Sequence, residues 1–287
     1  MSVTTAQPFR IGGVISQTFS TLFNNLVTFL VISLIVTVLM YVVIFIVGMV
    51  VFGAAMMGGA GMDPASAGMM GLASLGIGAI LGLILIFVLI MAVNQLGVAA
   101  ITYGTVQSLR GRKAGIGECL SRGLSVVGQV LGVAILGSLI VAVGAGIAYF
   151  ILSFIHAVVG ILAAAVVGVA GFIVLWVAVP VAVIERPGVV ASLQRSIALT
   201  AGYRWHILGV FLLLFVIAIA IGIAVGIVVA IIGFISSGLG GIVSFLLNVG
   251  FSLVITALAA TLAAVGYYSL RVAKEGVDIG EIARVFD

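Results

Sequence analysis

Charge is what this chain has least of. Only 6% of its 287 residues are Asp, Glu, Lys or Arg, while 64% are hydrophobic. That leaves too little polar surface to cover a water-soluble domain of this length. Histidine is scarce, with His156 and His206 the two examples, and cysteine occurs once, at Cys119. A single cysteine supports neither an internal disulfide nor a cysteine-only zinc site. There is no HExxH and no phosphate-cradling GxxxxGK(S/T) motif. Hydrolysis requires a base, a nucleophile or metal ligands in mutual reach, and the sequence assembles no such constellation. We therefore expect no enzyme, no cofactor and no metal centre. The apolar stretches also lack the roughly ten-residue alternation of polar and apolar residues that barrel strands show, so only helices can satisfy the backbone in lipid.

What the chain does have is a strict separation of charge from apolar sequence. All eleven Lys and Arg fall in four clusters, at the N-terminus, 110–122, 186–204 and 271–284. Between them lie spans at 26–53, 72–105, 126–153, 157–184, 207–236 and 242–268. The intervening connections at 54–71, 154–156 and 237–241 carry one charge, Asp63. Lys and Arg concentrate in cytoplasmic loops, so this pattern predicts an all-α, six-span protein of the bacterial inner membrane with both termini cytoplasmic. The apolar run from Leu26 exceeds the h-region of a cleaved signal peptide and reads as a retained span. The formal charge of +4 then serves topology and anionic headgroups, not nucleic acid.

Three basic-side segments resemble one another: IGGVISQTF at 11–19, IGECLSRGL at 116–124 and VVASLQRSI at 189–197. Each precedes a pair of spans and has apolar residues at helical spacing, as an interfacial elbow helix would. In the first, Ile11, Val14, Ile15 and Phe19 share a face. In the third, Val189, Val190, Leu193 and Ile197 do, leaving Ser192, Arg195 and Ser196 on the wet side. SLRGRKAGIGE at 108–118 matches SLRVAKEGVDIGE at 269–281, and IGEIARVF at 279–286 gives a partial fourth copy. A single membrane domain, 1–287, is thus expected as three elbow-and-hairpin repeats at about 8–110, 111–187 and 188–275, followed by a cytoplasmic tail at 276–287. Pro187 and Glu185 suit the N-terminal end of the third elbow, and Pro180 should kink the fourth span.

ERPGVVASLQRSIALTAGYRW at 185–205 and YYSLRVAKEG at 267–276 carry a family resemblance. Through Glu185, Gly188, Arg195, Ser196, Leu199, Gly202 and Trp205, and through Leu270, Arg271, Lys274, Glu275 and Gly276, the chain resembles the membrane-domain family named after glycerophosphoryl diester phosphodiesterases and its YciC-like relatives. The resemblance implies a multi-pass inner-membrane domain. It implies no hydrolysis, which in those enzymes belongs to a separate soluble barrel.

Three arginines at span ends, Arg122, Arg195 and Arg204, are candidate headgroup contacts. Asn248, Ser252 and Thr256 recur at i, i+4 and i+8 and form one polar stripe, able to line a path for a headgroup or to bond a neighbouring helix. Asn94, Gln95 and Gln129 are the other polar residues inside spans. GxxxG at 78–82, 128–132 and 222–226 suits packing within the bundle or dimerisation. Met56, Met57, Met62, Met69 and Met70 could offer soft sulfur ligands to Cu(I), although methionine is also an ordinary filler of apolar surface. The expected partners are membrane lipids, with a second copy or another membrane protein as further candidates. The leading functional expectation is a non-enzymatic protein handling lipid-related or amphiphilic solutes or supporting envelope homeostasis. The alternatives are a permease subunit served by a separate ATPase and an accessory scaffold.

The charge map is directly testable on a Cys119→Ser background. Cysteines placed at Ser66 and Ser237 should react with an impermeant thiol reagent applied to intact cells, whereas one at Lys113 should react only after lysis. Labelling at Lys113 in intact cells reverses the orientation.

Overall fold

A computed structural model describes residues 9–58, 77–235 and 237–276. The methionine-rich connection beyond Gly58, the fourth elbow copy and the tail beyond Gly276 lie outside the described residues. Six helices are long and apolar enough to cross a membrane: Leu26–Met49, Ile84–Leu109, Ile116–Ser153, Ala157–Ile184, Arg204–Phe234 and Val243–Glu275. No strand occurs among the described residues. The chain is an all-α, multi-pass membrane protein.

The helices are α1 (Ile11–Asn24), α2 (Leu26–Gly58), α3 (Ile77–Leu109), α4 (Ile116–Ser153), α5 (Ala157–Leu175), α6 (Ala178–Ile184), α7 (Val189–Thr200), α8 (Arg204–Ile235) and α9 (Ser237–Glu275). Three hairpins result, α2 with α3, α4 with α5, and α8 with α9. The units 8–110, 111–187 and 188–275 hold α1 to α3, α4 to α6 and α7 to α9 respectively.

Two of the three elbow segments are separate helices, and the middle one is not. The first ends at Asn25, whose side chain bonds the Thr21 carbonyl (2.9 Å) and the Ser108 hydroxyl (2.7 Å). The third ends at Ala201 and Gly202, the latter at φ +89°, a conformation that glycine adopts without steric cost. The middle segment forms the first turns of the 38-residue α4. No residue at 124–126 favours leaving the helix, and the preceding Gly123 lies against α3. A Cβ there would come within 3.0 Å of the Ala100 nitrogen and 3.1 Å of the Leu96 carbonyl oxygen. Close backbone contact, not a turn, is what this glycine serves.

The third elbow departs in part from the face its pattern predicts: Leu193 and Val189 pack on the core as expected, but the serines expected on the wet side do not stay there. Ser192, Ser196 and Thr200 are fully buried, as is most of Leu193, while Val190 is 57% and Ile197 43% exposed. The cause lies in span four. Pro180 has no N–H to give to the Trp176 carbonyl, and its ring crowds that carbonyl. The helix accordingly breaks between α5 and α6 at Trp176 and Val177. Ser196 Oγ donates to the Val174 carbonyl at this break (2.8 Å), and Thr200 Oγ1 lies 3.3 Å from the same oxygen. Bonding to a carbonyl that another helix exposes favours turning these hydroxyls inward, so Ser192, Ser196 and Thr200 lie inside beside Leu193 and Leu199, and Val190 and Ile197 are left outside. The first elbow follows its pattern, with Val14 buried and Ile11 and Ile15 packed on the same core.

The bundle is held together at one end. In the spans the buried side chains are Phe29, Ile32, Ser33 and Val36 on α2, Ala99 to Thr105 on α3, Val126 to Val133 on α4, Ile173 to Ile184 on α5 and α6, Ile207 and Val210 on α8, and Ala257 onward on α9. All lie in the half nearer the basic loops. The opposite half exposes Phe45, Phe150, Phe234 and Phe245 among many others, as lipid-solvated helices do. Trp176 anchors the packed half against Gly266 of α9, where any Cβ would overlap its ring. Of the GxxxG positions, Gly132 packs against Val189, while Gly82, Gly128, Gly222 and Gly226 have nothing within 4 Å of a Cβ.

Replacing both hydroxyls, Ser196→Ala with Thr200→Val, should lower stability by about 1–2 kcal/mol, the scale of a buried carbonyl left without its donors. The readout is the thermal midpoint of the purified protein in detergent. An unchanged midpoint would remove the hydroxyls from the account of the break.

Candidate functional site

The first charged feature of the packed end is a clamp between distant segments. Glu185 follows α6 and does not reach the N-terminus of α7, contrary to the expected role; Gly188, at φ +100°, is the N-cap there. The Glu185 carboxylate instead turns to Arg195 (3.2 Å) and accepts from Tyr267 Oη (2.6 Å), with Arg271 at 4.0 Å. Arg195 also pairs with Glu275, and Arg271 Nε meets the other oxygen of Glu275 at 2.9 Å. Lys274 donates to the Ala198 carbonyl near the end of α7. Two arginines, two carboxylates and a phenol thus tie α7 to the end of α9. Burial works against the charge on Arg195, but the paired carboxylates outweigh it and its pKa is raised. The residues that carry the family resemblance meet here: Glu185, Arg195, Arg271, Lys274 and Glu275 form the clamp, and Ser196 seals the helix break.

Beside the clamp lies a cavity of about 650 Å³. Tyr103, Val106, Gln107 and Arg110 line it from the end of α3, Arg112 and Lys113 from the loop, Glu118 and Arg122 from the first turns of α4, and Val183, Ile184 and Arg186 from the end of α6. Five cations therefore surround one carboxylate. Burial lowers the pKa of Arg110, and Arg112 and Arg271 push it in the same direction. Such crowding of like charge raises the local potential for anions, and guanidinium groups present the donor forks that fit phosphate or carboxylate. On the wall, Tyr103 Oη donates to Glu118 Oε1 (2.7 Å) and accepts from Gln107 Nε2 (2.9 Å).

Arg186 is held in the cavity wall by an unusual backbone. Its φ is +53°, and among the described residues no other non-glycine has a positive φ. Its N–H reaches back to the Val181 carbonyl at 3.3 Å, closing the C-terminus of α6, a role that favours glycine. Its guanidinium lies 3.5 Å from Ser125 Oγ on α4. A strained position occupied by arginine points to a use for the side chain.

The structure distributes the sequence candidates unevenly. Arg122 lines the cavity, Arg195 is engaged in the clamp, and Arg204 is exposed beside Trp205 (83% exposed) without lining the cavity. Asn248 bonds back to Ser244 of its own helix at 2.7 Å, Ser252 is exposed and Thr256 half-buried. Asn94 is exposed, and Gln95 and Gln129 are half-buried. His156 caps α5 by accepting from the Val158 N–H (3.2 Å), while His206 sits against Phe9 and Tyr203 at the other end of the bundle. Cys119 is buried. Sequence reasoning missed Arg110, Arg112, Lys113 and Arg186 as a group. The signal available was three cations within 110–113 around Gly111, itself at φ +75°.

Arg186→Gly separates fold from site. It relieves a left-handed conformation that costs a non-glycine residue about 1 kcal/mol, so the thermal midpoint should hold or rise while retention of anionic lipid falls. A drop in the midpoint would show that the arginine serves the fold instead. Comparison with protein-family models, curated proteins and solved structures finds no match for this chain.

Proposed function

We propose that this protein holds an anionic amphiphile by its headgroup in the basic cavity, as a non-enzymatic, lipid-handling protein of the bacterial inner membrane. The observation that carries the reading is the cavity's charge, five cations against Glu118, at one end of a bundle that is otherwise almost uncharged. Val106, Val183 and Ile184 add an apolar wall to the same cavity, which suits a ligand that is charged at one end and greasy at the other. The positive-inside rule puts this end in the cytoplasm, at the depth of the inner leaflet headgroups. Among the described residues the other two carboxylates, Glu185 and Glu275, are tied to arginines, which favours binding over acid–base chemistry. The resemblance to the phosphodiesterase membrane-domain family agrees with a membrane role, and we retain that membership as a proposal. The charge-bearing residues behind that resemblance lie mainly in the clamp, not in the cavity.

The test is native mass spectrometry of the full-length protein released from mild detergent, with anionic and zwitterionic lipids supplied together. Arg112→Ala with Arg122→Ala should reduce anionic lipid retention by roughly tenfold or more, since each cation near the headgroups contributes on the order of 1 kcal/mol. Retention should weaken with added salt, and Arg204→Ala, outside the cavity, should leave it within about twofold. Retention indifferent to the double substitution refutes the reading. A stoichiometric ATPase in the purified sample would favour the permease-subunit alternative, and metal-dependent hydrolysis of glycerophosphodiesters that survives repurification would overturn the non-enzymatic assignment.

A further inference from the structure

Two arginines are neutralised one for one in the clamp, and four cations of the cavity are not. Arg195 and Arg271 meet Glu185 and Glu275. None of the ion pairs among the described residues involves Arg112, Lys113, Arg122 or Arg186. All four line the cavity and all four are exposed, so a ligand there reaches them without disturbing the core. The contact that Arg186 makes is with a neutral group, Ser125 Oγ at 3.5 Å. Glu118, the carboxylate on the same wall, has a structural place of its own. It lies in the first turn of α4, where acidic charge suits a helix N-terminus, and it accepts from Tyr103 Oη at 2.7 Å. Even with Arg110 left out of the count, four positive charges against one negative leave three for a ligand to meet.

That surplus bears on which anion fits best. A phosphodiester carries one negative charge on two free oxygens, whereas a phosphomonoester carries about 1.5 to 2 negative charges at pH 7 on three. Attraction scales with the product of the charges, and three guanidinium forks with one ammonium offer more donors than two oxygens can take. Resting on the headgroup reading above, we propose that the cavity selects phosphomonoesters: the terminal phosphate, with its second negative charge, takes Arg112, Lys113, Arg122 and Arg186, and the apolar substituent lies along Val106, Val183 and Ile184. A diester leaves more of the positive charge unmet, and its second substituent blocks one oxygen. The monoester can reach the site as a lipid whose terminal phosphate is unsubstituted or as a soluble alkyl phosphate, and the measurement separates the two.

The full-length protein in detergent at about pH 8, where a monoester has lost its second proton, is titrated with dioleoylphosphatidate against dioleoylphosphatidylmethanol. Hexyl phosphate is compared separately with methyl hexyl phosphate. The members of each pair differ by one methyl group on the phosphate. The expected result is a preference of about tenfold for the monoester. Because the product of charges sets that preference, Arg122→Gln should weaken the diester about threefold and the monoester about tenfold. Glu118→Gln should strengthen both in the same proportion, widening the preference. Lys113→Gln, in an exposed loop, repeats the loss if Arg122→Gln folds poorly. A preference confined to the lipid pair supports the inference with a lipid as ligand, and one shown by the soluble pair supports it with a soluble ligand. Equal, salt-sensitive binding of both lipids, or a preference that none of these substitutions moves, overturns this inference and leaves the headgroup reading intact. Failure of every anion to bind overturns both.

Discussion

The packed end of this protein depends on a proline that breaks a helix where water cannot repair the damage. Pro180 interrupts span four, and the hydroxyls of Ser196 and Thr200 converge on the Val174 carbonyl at the break. That requirement fixes which face of α7 points inward. Once Ser192, Ser196 and Thr200 are inside, Arg195 falls at the edge of the bundle, within reach of Glu185 and Glu275. The hydroxyl bonds at the break thereby help to set the position of α7, and α7 sets the position of a charge cluster.

Two kinds of electrostatics then sit side by side. In the clamp both arginines are paired with carboxylates and Lys274 bonds the Ala198 carbonyl, so it restrains α7, the chain after α6 and the end of α9 while offering little to an outside ion. In the cavity, cations outnumber acids five to one, a state that is tolerable near water but relieved by an anion. Low charge overall makes the contrast sharper. Five of eleven cationic side chains line one cavity, and the packed core of every span lies at that same end.

Composition and spacing made the span number and position legible, because lipid exposure imposes long apolar runs with few exceptions. They also indicated a bend at Pro180 and helical elbows at 11–19 and 189–197, within the observed helices Ile11–Asn24 and Val189–Thr200. The middle elbow was not legible. Its likeness to the others was compositional, and continuity of α4 depends on the contact between Gly123 and α3, a tertiary fact. The face of α7 was misread for a related reason. Amphipathic patterning assumes that polar residues seek water, whereas Ser196 and Thr200 seek a carbonyl that another helix exposes, and Val190 and Ile197 remain outside where lipid accepts them. As for the cavity, Arg122 could be nominated from its place at a span end. Arg186 could not, because its role depends on a left-handed backbone that no sequence pattern announces in a non-glycine residue.

The clamp and the cavity are joined by a single peptide link, and this governs how the site is held. Glu185 belongs to the clamp and Arg186 to the cavity wall. Pro187 allows the following backbone little freedom, and the N–H of Arg186 is already committed to Val181. Any shift of α9 that carries Glu275 away from Arg195 therefore loosens the restraint on Glu185, and with it the position of the adjacent guanidinium. The family-like residues matter to the site in this indirect sense. They hold the chain that presents a cavity cation, while the loop at 110–113 supplies three others. Charge recognition and its mechanical support reside in different parts of the sequence, which is why the motif with the strongest resemblance says more about how the bundle is closed than about what it binds.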